Sequence, residues 1–247
     1  MTDMERYLFD INGFMVLRSV LSQDEVKRLI EAIPRDEKGE IIHPPDDIAF
    51  EGLLGYDEPL YRNLIDHPRV LPYLDYLLAE KRGGTYGPKW SGRFFLGHEY
   101  GLVYAPGDEG FGLHNGATPY NVWLHYHTQD NQIYCGLTCV VWCLTDSEAG
   151  QGGFGCLPGS HKAYFPMPEE VTGKRFVPQD AYQPVVNAGD VIIFTEALVH
   201  GPLPWKGATQ RLALFYKYLP GHMPLFQERE KALLDLMTEE QMKYLKF

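Results

Sequence analysis

The spacing of apolar and polar positions changes period twice along the chain. Phe14-Met15-Val16-Leu17 is a short apolar run behind an Asp10-Ile11-Asn12-Gly13 turn, which predicts a strand. Ser22-Gln23-Asp24-Glu25 has the form of a capping box. Val26, Leu29, Ile30 and Ile33 then make one apolar stripe, and Pro34 stops the helix. Residues 35–58 are acidic, proline-containing and without period, so they read as a loop, a lid near the mouth of the fold. Helical spacing returns in Leu60, Leu64, Val70, Leu71, Leu74, Leu77 and Leu78, with Gly83-Gly84 to end it.

From Phe94 to about Tyr218 the period is two. Strands are predicted at 94–96, 99–104, 132–144, 183–186, 190–195 and 212–218, separated by Gly/Pro/Asp turns. The tail from Leu225 is helical again, with Thr238-Glu239-Glu240-Gln241 as a second capping box. The prediction is a mainly β fold with flanking helices, a double-stranded β-helix of the jelly-roll, cupin-like kind. One domain is expected over 1–247: helical support and lid to 93, jelly-roll core from 94 to 218, and C-terminal helices after it.

A net charge of −11 repels phosphate backbones and anionic lipid, so nucleic-acid and membrane partners are not expected. No secretory leader and no apolar run of membrane length is read, which points to the cytoplasm. Cys135, Cys139 and Cys143 recur every four residues on one predicted strand face, too far apart to pair, and with Cys156 they read as reduced core thiols. Oligomeric state is left open.

Several motifs have plainer readings than their spelling suggests. Gly150 to Gly155 spells GxGxxG, but Pro158-Gly159 follows too soon for the helix a dinucleotide site needs. His161 reads as a structural hydrogen-bonding residue, and His125 and His127 as part of a solvated hairpin. His114 and His200 stand apart. Each ends or follows a predicted strand, and Arg211 lies eleven residues beyond the second. On adjacent strands, a metal-binding histidine and an arginine can hold a dicarboxylate between them, with the guanidinium fork on the far carboxylate.

Over most of its length the chain resembles the phytanoyl-CoA dioxygenase-like branch of iron(II)/2-oxoglutarate oxygenases. The resemblance is carried by the segment from Phe9 to Leu17, by Gly152-Gly153-Phe154-Gly155-Cys156-Leu157-Pro158-Gly159-Ser160-His161-Lys162, by Ala188 to Phe194, and by His200-Gly201 with Arg211. It implies iron on His114 and His200, 2-oxoglutarate on Arg211, and O2 as co-substrate. A small free metabolite is the expected substrate.

The family pattern HxD becomes His114-Asn115-Gly116 in this chain. A glycine at the third ligand position leaves room for chloride, as in related iron halogenases with HxG or HxA, and makes Gly116 a catalytic feature by its absence of a side chain. The alternative is hydroxylation with a substitute carboxylate, Glu196 before Asp108 or Glu109, or with water. A non-catalytic module binding metal and 2-oxoglutarate is the third reading. Tyr104 and Trp142 are candidates to line the cofactor pocket, and Asn115 to hydrogen-bond a group on the metal.

Overall fold

The computed structural model describes residues 1–44, 47–79, 94–171, 181–224 and 231–245. Its main sheet is antiparallel and six-stranded. β1 (Phe14–Leu17), β8 (Val191–Thr195), β6 (Thr138–Cys143), β10 (Arg211–Pro220), β3 (Phe94–Tyr104) and β2 (Ala49–Glu51) lie side by side in that order. A second layer is short. β7 (Gly153–Cys156) pairs antiparallel with β9 (His200–Leu203), and His114 forms a bridge with His200 on the other flank of β9. β4 (Tyr126–Gln129) and β5 (Gln132–Cys135) form a hairpin whose turn, Asp130-Asn131, has φ of 51° and 59°.

Both faces of the main sheet are covered. Leu212, Leu214, Tyr216 and Tyr218 of β10 turn outward into a core shared with α2 (Gln23–Glu31), α3 (Leu60–Asn63) and α4 (Leu71–Leu78), where Leu29, Leu64 and Leu74 are buried. Each such fully buried side chain is worth about 2 kcal/mol. Tyr216 and Tyr218 also donate hydrogen bonds to the carbonyls of Tyr61 and Ile65, at 2.7 and 2.9 Å, and so fasten the helical layer to the strand. The other parity of β10, Arg211, Ala213, Phe215 and Lys217, points between the two sheets. Ala213 and Phe215 pack there with Cys139, Val141, Phe154 and Phe194.

The capping boxes at Ser22–Glu25 and Thr238–Gln241 are both present, opening α2 and α6 (Glu239–Met242) after α5 (Lys231–Leu234). Elsewhere the pattern misleads. Asp10 to Asn12 is the last turn of a helix, α1 (Asp3–Asn12), capped by Thr2 and Glu5 and ended by Gly13 at φ 78°. Phe9 is the one buried residue of that helix; its helically spaced apolar positions, Met4, Tyr7, Leu8 and Ile11, are exposed. Within 35–58, β2 pairs with the edge of β3, and its neighbours Asp47 and Ile48 wall a groove beside the mouth.

The helix read through residues 59–80 divides into α3 and α4 around Pro68, and its expected end at Gly83-Gly84 lies outside the described residues. Residues 94–104 are one strand, and 132–144 are two. Cys135 therefore sits on β5 against the helical core, while Cys139, Cys143 and Cys156 share the space between the sheets. All four are reduced and buried, and burial pushes the Cys143 and Cys156 thiols up to about 12. Residues 183–186 form no strand; Tyr182 and Val186 make single bridges to Cys156 and Ser147.

Candidate active site

The site forms where the short layer meets the inward row of β10. His114 and His200 face each other across a two-way backbone bridge, His114 N–H to the His200 carbonyl at 2.8 Å and the reverse at 3.1 Å. Their rings lie 4.6 Å apart. Each Nδ1 is taken up by a carbonyl two residues upstream, Leu198 for His200 at 2.7 Å and Gly112 for His114 at 3.3 Å. That bond fixes the tautomer and leaves each Nε2 as a lone-pair donor. Burial holds both imidazoles below their ordinary range, His200 down to about 4, so both are neutral as metal ligation requires.

Glu196 brings a carboxylate to the same cavity. It leaves the end of β8, is 2% exposed, and places Oε2 3.7 Å from His200 Nε2. Asn115, at φ 64°, turns back and donates Nδ2–H to the same oxygen at 2.8 Å. Lys217 Nζ forms an ion pair with the other oxygen, Oε1, at 2.9 Å. Burial alone would raise the Glu196 carboxyl, but Lys217 and then His200 hold it below the usual carboxylate range. Burial likewise opposes the Lys217 charge, and Glu196 overrides it, raising the ammonium above its ordinary value.

Arg211 lies on the same row as Lys217 but in different company. It is 4% exposed, and no carboxylate among the described residues pairs with it. Burial lowers its guanidinium, and only Cys143 and Tyr104 act the other way. Tyr104, its partner across the β10–β3 register, presents a ring 5.9 Å from the guanidinium carbon. The Tyr104 hydroxyl is buried and has no hydrogen-bond partner. Gly153 makes the position possible, since a Cβ there would stand 2.6 Å from Arg211 Nε. A buried cation beside an unpartnered hydroxyl is a receptor for an anion from outside the chain.

Gly116 has a conformational reason of its own. Its φ is 119°, where L side chains are strained, and a Cβ would meet Val199 Cγ2 at 3.2 Å. Val199 belongs to a separate cluster with Leu113 and Leu203, so a side chain at 116 heads toward that cluster. The glycine turns the chain so that Asn115 reaches Glu196. Trp142 is a correction. Its ring stacks edge-on with His67 at 5.3 Å in the helical core, on the face of β6 turned away from the cavity. Asp108 and Glu109 line the neighbouring groove, and Asp108 caps Ala105 N–H at 2.7 Å.

His114, Glu196, His200, Arg211, Phe215 and Lys217 line one small cavity of about 40 Å³. It shares Tyr100, Leu102 and Phe111 with the groove outside. The donor set, two imidazoles and one carboxylate, suits a first-row metal that keeps open positions. Among the described residues no three His, Cys, Asp or Glu side chains already converge as a metal cage, because Glu196 is turned toward Lys217.

Lys217 is the residue that sequence reasoning missed. The signal was a lysine inside an otherwise apolar inward row, the parity of Arg211, Ala213 and Phe215. His161 is fully buried and bonds the Asp10 carbonyl at 3.0 Å, and His127 is exposed on the β4–β5 hairpin, both away from the cavity. No helix among the described residues is long and apolar enough to cross a membrane.

A family model described as phytanoyl-CoA dioxygenase (PhyH) matches residues 9–213. No functionally curated sequence matches the chain. Among solved structures, the chain is similar to HygX from Streptomyces hygroscopicus with nickel and 2-oxoglutarate bound, at TM-score 0.75 and 23% identity over 94% of each chain. The same protein with hygromycin B also bound aligns at TM-score 0.73 and 23% identity over the same 94% of each chain. AviO1 from Streptomyces viridochromogenes Tue57 aligns at 0.59 and 18% identity over 89% of this chain and 95% of its own. At these identities the likeness is one of fold.

Proposed function

The chain belongs to the phytanoyl-CoA dioxygenase (PhyH) family, and from that premise we propose that it is an Fe(II)/2-oxoglutarate-dependent oxygenase acting on a C–H bond of a small organic molecule. His114, His200 and Glu196 hold the iron, and Arg211 with the Tyr104 hydroxyl anchors the far carboxylate of 2-oxoglutarate. When bound, the metal and its oxo-acid supply the activation of O2. The chain's own residues orient the cofactor, keep Nε2 of both histidines unprotonated, and surround the reaction with Phe111, Phe154 and Phe194, which limit water. The observation that carries this reading is Arg211: a guanidinium buried in the same cavity as the two histidines, with no anionic partner among the described residues. The binding of 2-oxoglutarate and hygromycin B in HygX supports a small organic substrate entering from the groove.

Hydroxylation is favoured over halogenation because Glu196, a buried carboxylate in the same cavity as the two histidines, is available to complete the ligand set that Gly116 leaves open. Gly116 favours halogenation as the second reading, since no carboxylate stands in the HxD position. The deciding experiment is an anaerobic titration with Fe(II) and 2-oxoglutarate, following the metal-to-ligand charge-transfer band with and without chloride. A band that needs His200 and ignores chloride is expected, and Glu196→Gln should weaken metal binding by more than about tenfold. A chloride-dependent shift would move the assignment to a halogenase. Absence of a band in folded protein would remove the oxygenase reading.

A further inference from the structure

Lys217 takes no part in holding metal or cofactor as described above. Its ammonium is nonetheless enclosed, with Glu196 Oε1 at 2.9 Å on one side and the Tyr100 ring, stacked on Phe215, at 5.6 Å on another. Asn115 Nδ2 and His200 Nε2 both face Oε2, at 2.8 and 3.7 Å. The two carboxylate oxygens are therefore divided between neighbours. A glutamate left to itself can give a metal one oxygen or both, and the second would occupy a position that an oxo-acid cofactor needs.

We infer that Lys217 is a positioning residue that restricts Glu196 to one-oxygen ligation and so keeps a coordination position clear for the cofactor. This rests on Glu196 as the third ligand. Removing Lys217 has opposite consequences for the two ligands of the site. The metal loses a neighbouring positive charge and gains a second oxygen, so it binds as well or more tightly. The cofactor then competes with that oxygen and binds less well. A lysine that merely filled space would, on removal, weaken both.

Calorimetric titration of Co(II), followed by 2-oxoglutarate under anaerobic conditions, separates the cases. In Lys217→Met the Co(II) Kd should be unchanged or lower, and the 2-oxoglutarate Kd of the Co(II)-loaded protein should rise about tenfold. Lys217→Arg should restore most of that loss. If the Met variant does not fold, Lys217→Gln, which keeps a hydrogen-bond donor without the charge, carries the same test. Unchanged 2-oxoglutarate affinity in the variant overturns the inference, as does a loss of Co(II) binding equal to that of Glu196→Gln. Wild-type Co(II) affinity in Glu196→Gln would instead overturn Glu196 as a ligand.

Discussion

Arg211 and Lys217 occupy the same inward row of one strand, one buried and the other largely so, and they differ in whether the described residues supply a counter-charge. Lys217 has Glu196 at 2.9 Å; Arg211 has an aromatic ring and an idle hydroxyl. A buried cation that the fold neutralises is part of the fold's own economy of charge. One left unneutralised destabilises the fold unless a ligand completes it, and so marks where a ligand belongs. One strand thus carries a standing ion pair at Lys217 and, at Arg211, a cation that the described residues leave without a counter-charge.

The contrast breaks most visibly at Arg211. Arg211→Met should weaken 2-oxoglutarate binding by at least about 100-fold, from loss of charge-assisted paired hydrogen bonds, while cofactor-free stability stays level or rises. Calorimetry for the first and thermal denaturation for the second check both halves; a large stability loss would mean that Arg211 has an internal partner.

Lys217→Met should behave in the reverse sense, lowering cofactor-free stability by about 3 kcal/mol because the buried Glu196 loses its counter-charge and keeps only the Asn115 hydrogen bond. Denaturant titration measures it.

The smallest effect belongs to the Arg18–Asp190 pair at 2.7 Å, in which Arg18 is half-exposed and Asp190 is buried but keeps the Ser19 and Asn187 amides when Arg18 is removed, so Arg18→Met should cost about 1 kcal/mol at neutral pH. Burial raises the Asp190 carboxyl, but the Asn187 and Ser19 amides and Arg18 bring it below 3.8 overall. Its folded value is depressed, so its contribution is complete well above pH 3.8 and fades as pH falls through the folded value. Wild type and variant should converge in acid unfolding below that point.

Much of this site could be read in the sequence because its donors sit at element ends, where spacing is informative. His114, His200, Arg211 and Glu196 all come to one cavity, and Asn115 hydrogen-bonds Glu196. Trp142 was illegible for a definite reason. All six residues of β6 are buried, so alternation no longer distinguishes the cavity face from the helix face. Lys217 suffered the converse, an inward charge whose partner lies 21 positions away and is found only through folding. α1 was legible in the helical spacing of Met4, Tyr7, Leu8 and Ile11 and in the Thr2–Glu5 capping box, but the Asp10-Ile11-Asn12-Gly13 run, which is its last turn and C-cap, reads as a free turn when taken alone.

The backbone bridge between His114 and His200 has a consequence for assembly. The ladder itself sets the spacing of the two imidazoles, so this pair stands ready before any ion arrives, and binding of an ion there would be linked to the fold by mass action. Saturation at a hundredfold over Kd would add about 2.7 kcal/mol to the unfolding free energy and no more. Chelation should therefore lower the melting temperature in step with free-metal concentration and leave a cooperative transition, unlike the collapse seen when an ion is the nucleus of a small domain.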